Sequence, residues 1–289
     1  MQKQRLPPEV LSINEEDMQG LMEVFHGLTS DNLDLILHLP GGSAEATEAV
    51  VYYIRSKFSH VRVIVPNQAM SAATMLACSA DKIVMGKHSF LGPIDPQFYV
   101  RTQLGGQAVP AQAILDQFDM AKRDCQDPKL LGAWAPMLPQ YGPALLVQCQ
   151  ESLNLSKELV AKWLKRYMFK SRKDSQEMAE AVASSLADHT RFKTHGRPID
   201  RDHARSLGLD IDDLETDQEL QDLVLSVFHA TTHTFNNSGA VKIIENHLGR
   251  AFVKTITLVG APTQPPVQPP GQPPAATPQT PARPAPPPA

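Results

Sequence analysis

The chain has 289 residues, long enough to bury one substantial core with attachments, and its 27 basic and 31 acidic side chains leave a formal charge of -4 with no long block of either sign. That balance argues against nucleic acid or anionic lipid as a partner. Three widely spaced cysteines, Cys78, Cys125 and Cys149, match neither a disulfide framework nor a C-x-x-C metal pair, which fits a reducing compartment.

The opening MQKQRLPPEVLSINEEDMQ puts prolines and acids where a signal peptide needs an apolar stretch, and no later run reaches the ~18 apolar residues of a membrane span. A cytoplasmic protein with no membrane span is expected. Residues 14 to 27, NEEDMQGLMEVFHG, read as an amphipathic helix with a capping Asn, two early acids and apolar Met18, Leu21, Met22 and Phe25, stopping at Gly27. LDLILHL (33 to 39) is a nearly continuous apolar run of strand length ended by PGGS at 40 to 43, and it predicts a buried parallel strand.

From Ser43 to Phe58 a Ser cap and apolar positions at helical spacing predict a helix, and VRVIVP (61 to 66) returns as a second strand. Strand, glycine turn, helix and strand make a βαβ unit. Residues 71 to 80, SAATMLACSA, repeat the cycle as a small-residue helix, followed by DKIVMG as a third strand. Residues 111 to 192 read as mostly helical, clearest in LSKELVAKWLKRYMF, with prolines at 128, 136, 139 and 143 breaking the middle. RDHARSLGLDIDDLE (201 to 215) predicts a short helix and a return to the sheet, and residues 217 to 235 another long helix. From Gly260 onward the sequence is proline-rich and too poor in apolar bulk to pack, so a disordered tail is expected.

Two turns carry the chemistry, because each ends a strand and opens a helix, where backbone N–H groups point outward. At Pro40-Gly41-Gly42-Ser43 the paired glycines let the backbone approach a bound group without a Cβ in the way. The second turn, Pro66 to Ala73, places Ser71 at a helix start, so that the amide of Ala72 with one from Gly41 or Gly42 could hold an oxyanion. Spacing alone leaves the ordinary readings open: a serine that caps a helix, and a glycine pair that merely turns the chain.

DLILHLPGGSAEATEAVVYYI, VIVPNQAMSAATMLACSADKIVMG and HSFLGPIDPQ together resemble the ClpP/crotonase superfamily of self-compartmentalising and signal-peptide peptidases in order and spacing. The chain is most similar to the serine dehydrogenase proteinase family, from about residue 10 to residue 258, with GPIDPQ, FKTHGRPI (192 to 199) and IIENHLGRAFVK (243 to 254) as its particular marks. The resemblance implies an α/β fold: a ClpP/crotonase-like core of repeated strand-turn-helix units, a largely helical second half and the disordered Pro-rich tail. The expected layout is an N-terminal arm over 1–13, a catalytic core over 14–110, a mainly helical accessory region over 111–192, a core-closing and C-terminal helical region over 193–258, and the tail over 259–289.

The superfamily's nucleophile falls on Ser71, and its oxyanion donors fall on Gly41, Gly42 and the amide of Ala72. The ClpP histidine position falls near Ile94-Asp95, where no histidine stands. Signal-peptide peptidases use a lysine from a downstream helix, which points to Lys122; a lysine can serve only if desolvation lowers its pKa. His88 beside a strand is an alternative base, as are His189 and His195, which flank RFKT and could pair with Ser71 in an unusual arrangement with Asp95. His229 and His233 lie four apart on a helix without an H-E-x-x-H pattern and read as a polar face, so neither metal nor cofactor is expected.

The function implied is a serine peptidase acting on protein or peptide substrates, assembled as a homo-oligomer. Two other readings use the same fold: a catalytically silent oligomeric scaffold that recruits partners through the Pro-rich tail, and a site that binds an acyl-CoA thioester.

Overall fold

In the computed structural model, residues 8–102 and 105–256 are described. The chain divides into two units, Met1–Ile256 and Thr257–Ala289; the expected tail over 259–289 and the first residues of the arm lie outside the described residues. A short helix α1 (Pro8–Leu11) precedes α2 (Glu16–Phe25), whose start is organised by Asn14: its Oδ1 accepts from the Glu16 amide at 3.0 Å while its own amide donates to Asp17.

Then β1 (Asn32–Ile36), α3 (Ala44–Lys57) and β2 (His60–Val65) form the expected strand-helix-strand unit. Ser43 caps α3, its Oγ accepting from the Ala46 amide at 3.1 Å. A two-residue strand β3 (Gln68–Ala69) leads through Ser71 into α4 (Ala72–Ala77), and β4 (Lys82–Met85) follows.

β5 (Phe90–Leu91) is followed by a β-hairpin, β6 (Gln97–Thr102) and β7 (Gly105–Pro110). Helices occupy most of the next stretch: α5 (Ala111–Asp124), α6 (Pro128–Trp134), α7 (Leu145–Arg166), α8 (Ser175–Leu186) and the single turn α9 (His189–Phe192). The prolines sit at the breaks, Pro128 in the first turn of α6 and Pro139 in a 3₁₀ turn over Leu138–Gln140. After β8 (Ile199–Asp200), α10 (Arg201–Ser206) and β9 (Ile211–Asp213), a 3₁₀ turn (Leu214–Thr216) leads into α11 (Gln218–Asn237) and a closing hairpin, β10 (Ala240–Glu245) and β11 (Ala251–Thr255).

The main sheet is parallel, in the order β1-β2-β4-β9. Period-2 alternation divides its faces: Val63, Val65, Ile83 and Met85 enter the large core beneath α2, α3, α4, α7 and α8, while Ile64 and Val84 meet Leu214 and Val224 on the α11 side. The run at 33 to 39 differs from its expectation. Its pairing is parallel as expected, but it stops at Ile36 and forms an edge strand, with β2 as its one neighbour among the described residues and its alternate residues exposed; Ile36 is 38% exposed.

A second cluster packs Ala111, Ile114, Cys149 and Leu153 against the β6–β7 hairpin. The closing hairpin lies on α2, where a Cβ on Gly20 would come within 2.6 Å of Ile244 Cδ1; the missing side chain is what lets the strands approach. Among the described residues no helix is long and apolar enough to cross a membrane.

Candidate active site

A small second sheet, in the order β3-β5-β8, fixes the site. Its register places Ala69 opposite Leu91 and Leu91 opposite Ile199, and a parallel bridge joins Leu39 to Ala69. Leu39, Ala69, Leu91 and Ile199 therefore lie in one row across four chain segments. The first three segments run parallel and leave the row in the same direction toward Gly41, Ser71 and Asp95, respectively. The fourth runs antiparallel to β5 and enters the row from that same side, coming from His195. Neighbouring strands are about 4.8 Å apart, so all four groups are delivered to one edge.

Ser71 and the glycine turn are in contact. A methyl group on Gly41 would lie 2.9 Å from Ser71 Cβ, 3.2 Å from the Met70 carbonyl oxygen and 3.5 Å from Ser71 Oγ. Gly41 has φ +133° and Gly42 φ +156°, conformations that side-chain-bearing residues rarely adopt. The turn is held from outside by Ile13, whose amide donates to the Gly41 carbonyl at 2.8 Å and whose carbonyl accepts from the Ser43 amide at 3.0 Å. The amides of Gly41 and Gly42 thus belong to a short loop that is clamped on one side and faces the serine on the other.

Ser71 stands at φ 53° and ψ -119°, strained for a residue with a Cβ, and its side chain makes no capping hydrogen bond to α4. The ordinary capping role is the one Ser43 fills; Ser71 does not. The tight entry into α4 is fixed by Thr74, buried, whose hydroxyl donates to the Ala69 carbonyl at 2.7 Å and accepts from the Gly92 amide at 2.9 Å. That hydroxyl ties the serine's helix to the segment carrying Asp95. Gly92 also lies under Met70, since a Cβ there would fall 2.6 Å from Met70 Cε.

Asp95 is 1% exposed and holds two imidazoles by their Nδ1 atoms: His195 at 2.7 Å from Oδ1 and His189 at 3.1 Å from Oδ2. Gln97 Nε2 also donates to Oδ2 at 3.2 Å, and a buried carboxylate that accepts the Nδ1–H of both rings leaves each Nε2 as the nitrogen able to accept a proton. Asp95 follows Gly92 by three residues, so their Cα atoms are at most roughly 11 Å apart. The segment that carries the carboxylate and its histidines is thus anchored to the Met70-Ser71 corner through Gly92, which packs under Met70 and bonds Thr74.

The other expected bases occupy different surroundings. Lys122, in the last turn of α5, is 62% exposed and 2.5 Å from Asp119, within a helix that packs on β7 and α7. His88 lies in the turn between β4 and β5, where its ring covers Gly86, its Nε2 has no hydrogen-bond partner among the described residues, and the adjoining Lys87 amide donates to Glu215 at 2.7 Å. That contact ties the turn toward the β9 side of the sheet, whereas the glycine turn follows β1 at the opposite edge.

Among the described residues no group of three His, Cys, Asp or Glu side chains could hold a metal ion. Thr74 and Ile13 were not foreseen from the sequence: one is a small residue inside a helix, the other a single apolar residue before one, and only tertiary contacts distinguish them.

A model of the ClpP-like SDH-type serine proteinase family matches residues 13–230. Two uncharacterized proteins of Methanocaldococcus jannaschii are similar to the chain, one 30% identical over 69% of this chain and 60% of its own length, the other 27% identical over 69% and 59%. The chain thus spans about three fifths the length of those relatives.

Proposed function

Since the chain belongs to the family of ClpP-like SDH-type serine proteinases, we propose that it is a serine peptidase in which Ser71 attacks the scissile carbonyl and the imidazoles held by Asp95 move the proton. The observation that carries this reading is the shared row: Gly41, Ser71, Asp95 and His195 leave one line of paired residues on the same side.

Of the two imidazoles we assign the transfer to His195, because its segment pairs directly beside β5 and its bond to Asp95 is the shorter, 2.7 Å against 3.1 Å. His195 Nε2 takes the Ser71 proton as the Oγ–C bond forms, and returns it to the leaving amine; Asp95 holds the ring and stabilises its cation. The amides of Ala72 and of the Gly41-Gly42 turn receive the developing oxyanion, each such donor being worth about 10²–10³ in kcat. The ion-paired, solvated Lys122 does not meet the desolvation that a lysine base requires. A homo-oligomer in a cytoplasmic setting, acting on peptide or unfolded protein, completes the proposal.

A fluorophosphonate probe followed by peptide mapping tests it. Covalent labelling of Ser71, lost in Ser71→Ala and slowed at least a hundredfold in His195→Gln but less in His189→Gln, is the expected result. No labelling of folded protein would favour the silent scaffold, and hydrolysis of a crotonyl thioester without labelling would favour the acyl-CoA reading.

A further inference from the structure

We infer that the buried Lys242–Asp17 ion pair is a clamp that positions the Gly41-Gly42 turn, making Lys242 a positioning residue for catalysis. Lys242 stands on β10, beyond the region matched to the family, and its side chain is 4% exposed. Its ammonium lies 2.7 Å from Asp17 Oδ1 and 2.9 Å from Oδ2, aligned for a hydrogen bond with the latter, and it donates to the Ser12 carbonyl at 2.8 Å. Asp17 Oδ2 also accepts from the Asn14 amide at 2.8 Å. One ion pair therefore holds the backbone on both sides of Ile13.

Ile13 in turn grips the turn. Its amide and carbonyl make the two hydrogen bonds to Gly41 and Ser43, and a Cβ on Gly42 would come within 2.4 Å of both its nitrogen and its oxygen. The contacts run without a gap from Lys242 through Ser12 and Ile13 to Gly41 and Gly42, and from Gly41 to Ser71. A buried pair gains little net stability over apolar replacements, because both ions are desolvated. What apolar residues cannot supply is the bond from an ammonium to the Ser12 carbonyl and from a carboxylate to the Asn14 amide. Removing the pair frees Ile13 to shift, and the amides that receive the oxyanion shift with it; an error of about 1 Å at such a position can cost about 10² in rate.

The inference rests on the peptidase reading, and two measurements on the full chain separate them. The variants are Lys242→Met, the double replacement Asp17→Leu with Lys242→Met, which leaves no unpaired buried charge, and Lys254→Met as a control that breaks the exposed pair with Glu16 on the same hairpin. Hydrogen exchange reports the turn whether or not the protein is active: amides over residues 41–43 are expected to exchange at least tenfold faster in the double replacement than in the wild type or the control. Steady-state hydrolysis of p-nitrophenyl acetate is expected to show kcat down at least tenfold with KM within twofold. Unchanged exchange in a folded double replacement overturns the clamp, and so does unchanged kcat or a loss confined to KM. Wild-type protein that neither labels at Ser71 nor turns over the ester overturns the peptidase reading and the catalytic role of Lys242 with it.

Discussion

Gly41 has room for no side chain, because Ser71 Cβ stands 2.9 Å from the point where its own Cβ would begin. The two residues belong to different strand ends, and the missing side chain is what lets Ser71 lie against the turn. Gly41→Ala must therefore either displace Ser71 or bend a backbone already at φ +133°. Labelling by a fluorophosphonate is expected to slow at least a hundredfold, with the melting temperature lowered by several degrees; a labelling rate within threefold of wild type would refute the contact's role.

The strain at Ser71 makes a prediction that its chemistry does not. A residue at φ 53° and ψ -119° costs about 1–3 kcal/mol if it carries a Cβ, and glycine is relieved of most of that cost. Ser71→Gly should melt above Ser71→Ala by about 2–4 °C per kcal/mol relieved in a chain of this size, although both lack the hydroxyl. Calorimetry that ranks alanine above glycine would show that the corner is not strained.

Asp95 holds both rings and acts through them, so its loss should cost a large part, but not more, of what the loss of His195 costs. Asp95→Asn replaces an acceptor of two N–H bonds with a group that offers one oxygen and an NH₂, and one ring is then turned to the wrong tautomer. A fall in kcat of about 10⁴ is expected by analogy with other orienting carboxylates. A drop of less than tenfold would remove Asp95 from the proposed machinery.

Acid should expose a different carboxylate. Burial opposes ionisation of Asp81, but Lys170 at 2.6 Å, the Val61 amide at 2.9 Å and Arg55 at 2.7 Å outweigh it and hold its carboxyl down to about 2. A depressed carboxyl stabilises the fold at pH above its unfolded value of about 3.9, and that contribution is lost as pH falls toward the folded value. The urea midpoint of the wild type should therefore decline between pH 4 and pH 2 more steeply than that of Asp81→Asn. Parallel declines would show that the network adds nothing to acid resistance.

Burial pushes the Cys78 thiol up to about 12, which leaves almost no thiolate at neutral pH. Iodoacetamide should modify the half-exposed Cys125 first and spare Cys78 until the protein unfolds. Mass spectrometry of the native protein with Cys78 alkylated before Cys125 would contradict the packing around α4.

The parts of the fold that were legible in the sequence are those written in local patterns. Ser43 and the apolar spacing after it mark α3, the return of an apolar run in VRVIVP marks β2, and the prolines mark the breaks among the later helices. The apolar run at 33 to 39 gave a parallel strand but not its place, because hydrophobicity alone does not distinguish a central strand from an edge, and among the described residues β1 has no second neighbour. Glycine pairing and a serine at a helix start were readable, whereas the grouping of Asp95 with His189 and His195 depends on β5 and β8, strands of two residues each. Pairings so short leave no periodicity to read, and contacts at a separation of 94 or 100 residues are set only when the sheet closes. Lys122 came from its separation from Ser71, whereas its exposure and its pairing with Asp119 are tertiary properties that no local pattern shows.

The row through Leu39, Ala69, Leu91 and Ile199 also has an order in time. A growing polypeptide delivers the hydroxyl and the glycine amides early, yet the assigned histidine arrives only after the long helical stretch has been made and β8 has docked beside β5. On the proposed mechanism, the half-made chain carries a serine with no imidazole to take its proton until that last seam closes, and nascent chains are expected to be inactive.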